Sequence, residues 1–166
     1  MKSKTSDWFE TKIRLDKTQE DGTQKKVTEQ YVVEALSFTE AEAKITAVAK
    51  DYTSGEFAVK NITPASYHEI FFSENDKDDK WYKAKLQFIT IDEKTEKEKR
   101  QNHCYLVQGS STESAQKNVA DVMNGTMIDY TIVSIVETNI LDVFEYEAGE
   151  SNETSQNGTG TIDEFE

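Results

Sequence analysis

The sequence has very little cysteine and no long apolar run. Cys104 is the only cysteine among 166 residues, which excludes an intramolecular disulfide and any zinc site built from several cysteines. No segment approaches eighteen consecutive apolar residues, and the first ten residues lack the apolar core of a signal peptide. We therefore expect a cytosolic protein that does not associate with a membrane.

Basic residues are missing from the C-terminal end. The formal net charge is −13, and no Lys or Arg follows Lys117. Without the seven acids from Glu145 onward, residues 1–144 hold 19 basic and 25 acidic residues, a net charge of −6. This mild charge excludes a strongly basic nucleic-acid-binding domain, although it leaves room for a local cationic patch.

Residues 147–166 differ in composition from the rest of the chain. They consist mostly of Gly, Ser, Thr, Asn, Gln and acids, with Ile162 and Phe165 as isolated large apolar residues at the end. Such a segment buries too little apolar surface to offset its loss of conformational entropy. We therefore expect a disordered acidic tail.

Two stretches of the sequence, 73 residues apart, begin with the same pattern. Trp8-Phe9 followed by Lys12-Ile13 recurs as Trp81-Tyr82 followed by Lys85-Leu86. Each opens an alternation of apolar and polar residues, which is typical of a strand. Polar hairpin tips and returning strands follow, with tips at residues 16–25 and 92–100 and strands at 27–36 and 102–108.

Each stretch then predicts a helix and two short strands. Ser37 to Glu40 and Ser110 to Glu113 fit the S-x-x-E capping box, and one-sided apolar stripes follow both. Gly55 and Gly125 are expected to end the helices. The closing β segments are residues 57–62 and 70–71 in the first stretch and 130–136 and 143–144 in the second, with Pro64 between strands.

These patterns predict an α+β fold made by tandem duplication of a β-β-α-β-β module with pseudo-two-fold symmetry. The first half is residues 1–73, a charged linker covers 74–80, the second half is 81–146 and the tail is 147–166. Whether the halves share one sheet stays open. The predicted core is Ile13, Leu15, Tyr31, Val33, Ile45, Val48, Val59 and Ile62, matched by Leu86, Phe88, Tyr105, Val107, Val119, Val122, Ile132 and Ile135.

Several runs resemble one protein family. The run Trp8-Phe9-Glu10-Thr11-Lys12, with residues 25–29 and 35–42, resembles a domain of unknown function met in gut anaerobic bacteria and their phages. The resemblance spans residues 7 to about 146. It implies a phage or mobile-element setting, and it supplies no catalytic or binding residue that could be transferred.

The side chains suited to catalysis are few. His103 and Cys104 are adjacent, so on a strand they point to opposite faces and cannot form a nucleophile and base pair. His68 stands alone near a strand end. The carboxylates of residues 76–79 lack the glycine and closing Glu of a calcium loop, which favours a solvated turn. We expect no catalytic residues, no metal and no cofactor.

Cations alternate with apolar residues along the first strand of each half. Lys12 and Arg14, and likewise Lys83 and Lys85, should therefore share one face while the other face joins the core. The hairpins add further cations: Lys17, Lys25 and Lys26 in the first half, and Lys94, Lys97, Lys99 and Arg100 in the second. Trp8 and Trp81 begin these strands, either as core anchors or as stacking platforms for bases.

We therefore hypothesise a non-enzymatic accessory protein that binds single-stranded nucleic acid. The chain end, Ile162, Asp163, Glu164 and Phe165, resembles the acidic tails by which single-stranded-DNA-binding proteins recruit replication partners, although Glu166 departs from that pattern. An acidic protein-protein interaction module, or an inhibitor of a host enzyme, is the alternative. Exposed edge strands also allow a homo-oligomer.

Overall fold

The computed structural model describes residues 1–146, so the predicted tail and its residues Ile162, Asp163, Glu164 and Phe165 lie outside the described part. Residues 1–146 form a mixed α+β fold of nine strands and two helices. The elements are β1 (Lys2–Lys4), β2 (Trp8–Thr18), β3 (Gln24–Glu34), α1 (Phe38–Tyr52), β4 (Phe57–Ala65), β5 (Glu69–Phe72), β6 (Lys80–Ile91), β7 (Glu98–Gly109), α2 (Thr112–Met123), β8 (Asp129–Glu137) and β9 (Ile140–Phe144). Strand β1 has no counterpart in the sequence-based prediction.

The strands form two separate sheets, which answers the question that the sequence leaves open. The first sheet has the order β4-β2-β3-β9, and the second sheet has the order β1-β5-β7-β6-β8. Strand β5 pairs in parallel with β7, and β9 pairs in parallel with β3. The last strand of each half therefore completes the sheet of the other half. Spacing along a chain predicts such short strands but does not specify their partners.

The two exchanged strands pair in matching registers. Tyr31 and Val32 oppose Asp142 and Val143 in the first sheet. In the second sheet, Tyr105 opposes Glu69 and Leu106 opposes Ile70. Adding 74 to the residue numbers of β3 and subtracting 73 from those of β9 converts each pair of the first sheet into its counterpart in the second. Residues of the two halves that are 73 or 74 apart are called matching positions below.

The edge strands β4 and β8 carry bulges at matching positions. Lys12 pairs with Asn61 while Ile13 pairs with Val59, so Lys60 is the extra residue in β4. In β8 the extra residue is Val133. A bulge of this kind places two consecutive side chains against one residue of the partner strand.

Each helix covers one sheet and encloses a core. α1 packs through Ala41, Ile45 and Ala49 on the first sheet, and α2 packs through Ala115, Val119 and Met123 on the second. Every core residue named from the sequence is buried or half-buried in one of these two clusters, which confirms that prediction.

A third apolar cluster joins the two sheets. It consists of Trp8, Val32, Tyr67, Ile70, Trp81, Leu106, Ile140 and Val143. Apart from Tyr67, which lies between β4 and β5, these residues are on the sheet faces that point away from the helices, because side chains alternate along a strand. The layers therefore run helix, sheet, sheet, helix.

The helix starts agree with the sequence in one case and shift by one residue in the other. Ser37 caps α1, accepting a hydrogen bond of 3.1 Å from the Glu40 amide, while the Glu40 carboxylate accepts from the Leu36 amide. The cap of α2 is Ser111, not Ser110, and it accepts from the Ser114 amide at 3.1 Å. The Ser114 hydroxyl, and not the expected Glu113 side chain, accepts the hydrogen bond from the Ser110 amide before the cap.

The helices end near the expected glycines, α1 at Tyr52 and α2 at Met123, whereas the expectation for Pro64 is corrected. Neither Gly55 nor Gly125 has a positive φ; among residues 1–146 that conformation occurs at Gly22, in the first hairpin tip, and at Glu96, in the second. Pro64 lies inside β4, opposite Phe9, and not between strands. Its missing N–H is tolerated because β4 is an edge strand.

The linker is not a solvated turn throughout. Asp78 is only 5% exposed, and its carboxylate accepts hydrogen bonds from Ser73 (2.5 Å), Ser114 (2.9 Å) and Asn118 (3.1 Å). Burial alone would raise the pKa of Asp78, but these hydrogen bonds outweigh burial and lower the pKa. The linker is therefore fastened to the start of α2.

Candidate functional site

Strand β2 separates a core face from a polar face. Phe9, Ile13 and Leu15 are buried against α1. Lys12 and Arg14 alternate with them and are exposed on the opposite face. The expectation that one face presents cations while the other joins the core is confirmed for this strand.

The tryptophans are core residues and not stacking platforms. Trp8 is 2% exposed and Trp81 is 3% exposed, both in the cluster between the sheets. The two sheets pack together over the beginnings of β2 and β6. The first residue of each strand that points away from its helix, Trp8 or Trp81, is therefore covered by the other sheet. Neither ring can stack on a base in this arrangement, so the stacking role is corrected.

An ion pair follows the tryptophans at the seam between the sheets. The Lys83 ammonium lies 3.2 Å from the Glu10 carboxylate and 5.7 Å from the centre of the Tyr67 ring. The Tyr67 hydroxyl also donates to Glu10, and burial, together with this bond, raises the pKa of that hydroxyl. Lys83 is therefore already partnered within the protein.

Several hairpin cations have carboxylate partners. Lys99 lies 3.6 Å from Asp92, and Lys17 pairs with the buried Glu29. The Arg100 guanidinium bonds both Glu98 (3.2 Å) and the amide oxygen of Gln87 (3.2 Å). These cations are less available to an external anion than the sequence suggests.

Other cations have no such partner. No carboxylate of residues 1–146 lies within 4.0 Å of the side-chain nitrogens of Lys12, Arg14, Lys26 or Lys60. The same is true of Lys25, Lys85 and Lys97.

Lys60 was missed because the bulge disrupts the alternation by which strand faces are read. The signal was the spacing of Phe57, Val59 and Ile62, which changes from two residues to three.

Three of these cations surround a concave pocket on the exposed part of the first sheet's face that is turned away from α1. The pocket has a volume of about 170 Å³, and its lining residues are Arg14, Leu15, Asp16, Lys26, Glu56, Phe57, Ala58 and Lys60. Its cations come from three adjacent strands: Arg14 from β2, Lys26 from β3 and Lys60 from β4. We refer to it as the bulge pocket.

The second sheet has different residues at the matching positions. Gln87 matches Arg14, and Val133, 52% exposed, matches Lys60. Arg100 matches Lys26 but is held by Glu98 and Gln87. A cluster of unpaired cations therefore surrounds a pocket in the first sheet but not at the matching place in the second.

The histidines and the cysteine do not form a catalytic pair. The rings of His68 and His103 are 4.5 Å apart, beside Phe88 on the helix side of the second sheet. Burial, with the neighbouring His68, lowers the pKa of His103. Cys104 belongs to the cluster between the sheets, and burial raises the pKa of its thiol. In residues 1–146 no three His, Cys, Asp or Glu side chains converge as a metal site.

Comparison with known protein families gives a match. The model of a family described as a domain of unknown function, DUF4494, matches residues 7–146. The chain belongs to this family. No match was found among curated proteins or among solved structures.

The bulge pocket and both sheets lie within the DUF4494 domain, apart from β1. The family description assigns no function, so the candidate site rests on geometry. Among the helices of the described residues, none is long and apolar enough to cross a membrane.

Proposed function

We propose that the chain is a non-enzymatic binding protein that holds single-stranded nucleic acid on the exposed part of the first sheet's face that is turned away from α1. The observation that supports this most is the group of four exposed cations, Lys12, Arg14, Lys26 and Lys60, without carboxylate partners in residues 1–146. Unpaired cations on one face attract phosphates.

The arrangement favours backbone contacts over base contacts. Lys12 and Arg14 lie two residues apart on one strand, about 7 Å, so they can bind different phosphates. With Trp8 and Trp81 buried, binding draws little on base stacking and should depend strongly on salt.

The proposed contacts are therefore revised from the sequence-based set. Lys12, Arg14 and Lys26 stay in the proposal, and Lys60 joins them. Lys25 opposes Lys17 in the register and therefore lies on the α1 side of the sheet, so it carries less weight. Lys85 and Lys97, in the second half, are secondary contacts. Lys83, Lys99 and Arg100 carry less weight because each already has a carboxylate within 4.0 Å.

The test is a titration of labelled oligo-dT by fluorescence anisotropy at two or more salt concentrations. A variant with Arg14, Lys26 and Lys60 each replaced by Ala should bind more weakly, and the slope of log K against log salt should fall by about 2, or 0.7 for each lost contact. The matched control replaces the exposed Lys50, Lys77 and Lys117 by Ala. Equal slopes in the two variants would reject this face as the binding surface.

The acidic tail has a proposed role in recruiting a replication or host protein through Ile162, Asp163, Glu164 and Phe165. Being anionic and tethered, it would also compete with nucleic acid for the cationic face. Its attachment point is firm, because the Tyr146 amide donates to the buried Glu34 at 2.7 Å. A chain ending at Tyr146 should bind oligo-dT more tightly at low salt, and unchanged affinity would remove the competitive role.

We also infer that the two halves arose by duplication of one module, in a phage or mobile-element setting. Matching registers, matching bulges and reciprocal strand exchange support this origin. Glu10 and Lys83 occupy matching positions and contact each other, which is expected near a two-fold axis. A superposition that brings residues 8–72 onto 81–145, with Trp8 on Trp81, is the direct test.

One observation favours the alternative of a protein-protein interaction module. β8 is an edge strand, and its side opposite β6 pairs with no other strand of residues 1–146. Val133 and Val136 are exposed by 52% and 59%, and residues 129–137 contain no Lys, Arg or Pro. The corresponding edge β4 carries Lys60 and Pro64, which discourage strand addition. A partner strand could therefore extend the second sheet at β8. Absence of oligo-dT binding at low salt would favour this alternative.

A further inference from the structure

The bulge pocket differs from the rest of the cationic face because it is concave and is lined by three cations. Arg14, Lys26 and Lys60 approach it from three neighbouring strands, and no carboxylate of residues 1–146 lies within 4.0 Å of their nitrogens. A flat row of cations can contact successive phosphates of a polymer, whereas a pocket of about 170 Å³ can hold a single anionic group.

The bulge is what brings Lys60 to this face. Ile62 opposes Thr11 and Val59 opposes Ile13, so both β4 residues point to the core. The extra residue leaves Lys60 and its neighbour Asn61 together on the face turned away from α1. In an unbulged strand the regular alternation would turn one of them inward.

The charges around the pocket favour one phosphate with more than a single negative charge. A phosphate monoester carries about −1.5 to −2 at pH 7 and has three strong acceptor oxygens, whereas an internal phosphodiester carries a single charge. Three cations can each donate to such a group. Asp16 and Glu56 also line the pocket, and their carboxylates limit the number of phosphates that the three cations can hold there.

We propose that the bulge pocket binds one terminal phosphate group, carried by a free nucleotide or by the end of a single strand, with Arg14, Lys26 and Lys60 as its ligands. This inference rests on the proposed function, since it assigns a ligand group to the same face. The second sheet has Gln87 and Val133 at the matching positions, so one such site is expected per chain.

Paired ligands that differ only in a terminal phosphate test the inference on the full chain. Oligo-dT with a 5′-phosphate, a 3′-phosphate or neither would be titrated by calorimetry, beside thymidine monophosphate and thymidine. A terminal phosphate should tighten binding about tenfold, the effect of one well-formed charged hydrogen bond. A gain for the oligonucleotides identifies a strand end, and a gain confined to the monophosphate identifies a free nucleotide.

The Lys60→Val variant, which copies the second sheet, should lose this preference. Lys77→Val is the matched control, because Lys77 is exposed in the linker and the charge change is the same. Equal binding of ligands with and without the phosphate, or a preference that survives in Lys60→Val, would overturn the inference. Monophosphate binding that depends on Lys60, without any oligo-dT binding, would retain the pocket and reject the strand-binding function.

Discussion

The two sheets are alike in backbone and different in surface chemistry. Their hairpins, bulges and exchanged strands match position by position, yet Lys60 in one is Val133 in the other. Core positions need apolar side chains at fixed spacing, so they hold the register in place. Outward positions are free of that constraint, and the extra residue of a bulge is a place where surface chemistry can change without disturbing the strand.

The helix sides of the sheets differ in a similar way near their ends. In the first sheet Tyr31 donates at 2.5 Å to the buried Glu29, which also pairs with Lys17. At the position matching Glu29, the second sheet has His103, which contacts His68 and Phe88. One half therefore holds a carboxylate network where the other holds an aromatic and imidazole cluster.

The largest expected effect tests whether the two cores contribute alike to stability. Ile45→Ala and Val119→Ala each remove a fully buried side chain at the centre of a helix face. Ile45→Ala should lower the free energy of unfolding by about 2–5 kcal/mol through the cavity left behind. Val119→Ala should cost less, because it removes two carbons and not three. Urea unfolding measures both, and a negligible loss in either variant would contradict the helix phase assigned here.

The next effect concerns the linker, whose Asp78 is hydrogen-bonded to α2 of the second half. Asp78→Ala leaves the Ser114 and Asn118 donors without their acceptor, and it should destabilise by about 1–3 kcal/mol. The stability from Asp78 is present above the pKa of the unfolded state, because the folded pKa is lower. It should be lost as pH falls through the folded pKa. Asp76→Ala, in the exposed part of the same linker, is the control.

The success of the sequence-based prediction differs between the fold and the site. Alternation and helical spacing identified the two hairpins, both helices and the core, because burial imposes a strong period on the residues involved. Partnering was not predictable: the strand exchange of β5 and β9 depends on contacts between residues far apart in the chain.

The site was predicted less well, because surface position depends on packing between layers. Lys12 and Arg14 were placed correctly on the exposed face. Trp8 and Trp81 follow the same alternation, but each is covered by the opposite sheet. No local sequence pattern indicates that the two sheets pack together there. Lys60 was missed because a bulge breaks the period on which face assignment depends.

Transfer of the cationic site to the second sheet would sharpen the comparison. The double change Gln87→Arg and Val133→Lys recreates, beside Arg100, the cation set of the bulge pocket. If that set is sufficient for phosphate contacts, the salt slope of oligo-dT binding should rise by about 1.4, or 0.7 for each added contact. Gln116→Arg with Asn124→Lys, on α2 and its C-terminal end, adds the same charge elsewhere. A rise of equal size in both variants would show that net charge alone is responsible.

A smaller effect separates the halves by their response to acid. The folded pKa of His103 lies below the ordinary value of 6.5, because burial and His68 disfavour its charged form. The unfolded chain therefore binds more protons than the folded protein below about pH 6.5. The free energy of unfolding should decrease as the pH is lowered through that range. His103→Gln should flatten this part of the curve in denaturant titrations at pH 5 and 7. An unchanged curve would show that His103 does not carry the effect.

The smallest effect tests the contact between the two halves at matching positions. Glu10 and Lys83 are each more than a third exposed, so their ion pair should contribute only about 0.2–1 kcal/mol. Glu10→Lys places two ammonium groups together, and Lys83→Glu places two carboxylates together. Two identical modules would have the same residue at both positions and would therefore produce such a like-charge contact. Either change should destabilise the protein slightly, and the double exchange should restore most of the loss, because opposite charges face each other again. Urea unfolding of the four proteins gives the coupling energy. A coupling of zero would mean that Tyr67 and the surrounding apolar cluster, and not the charge pair, hold the seam between the sheets.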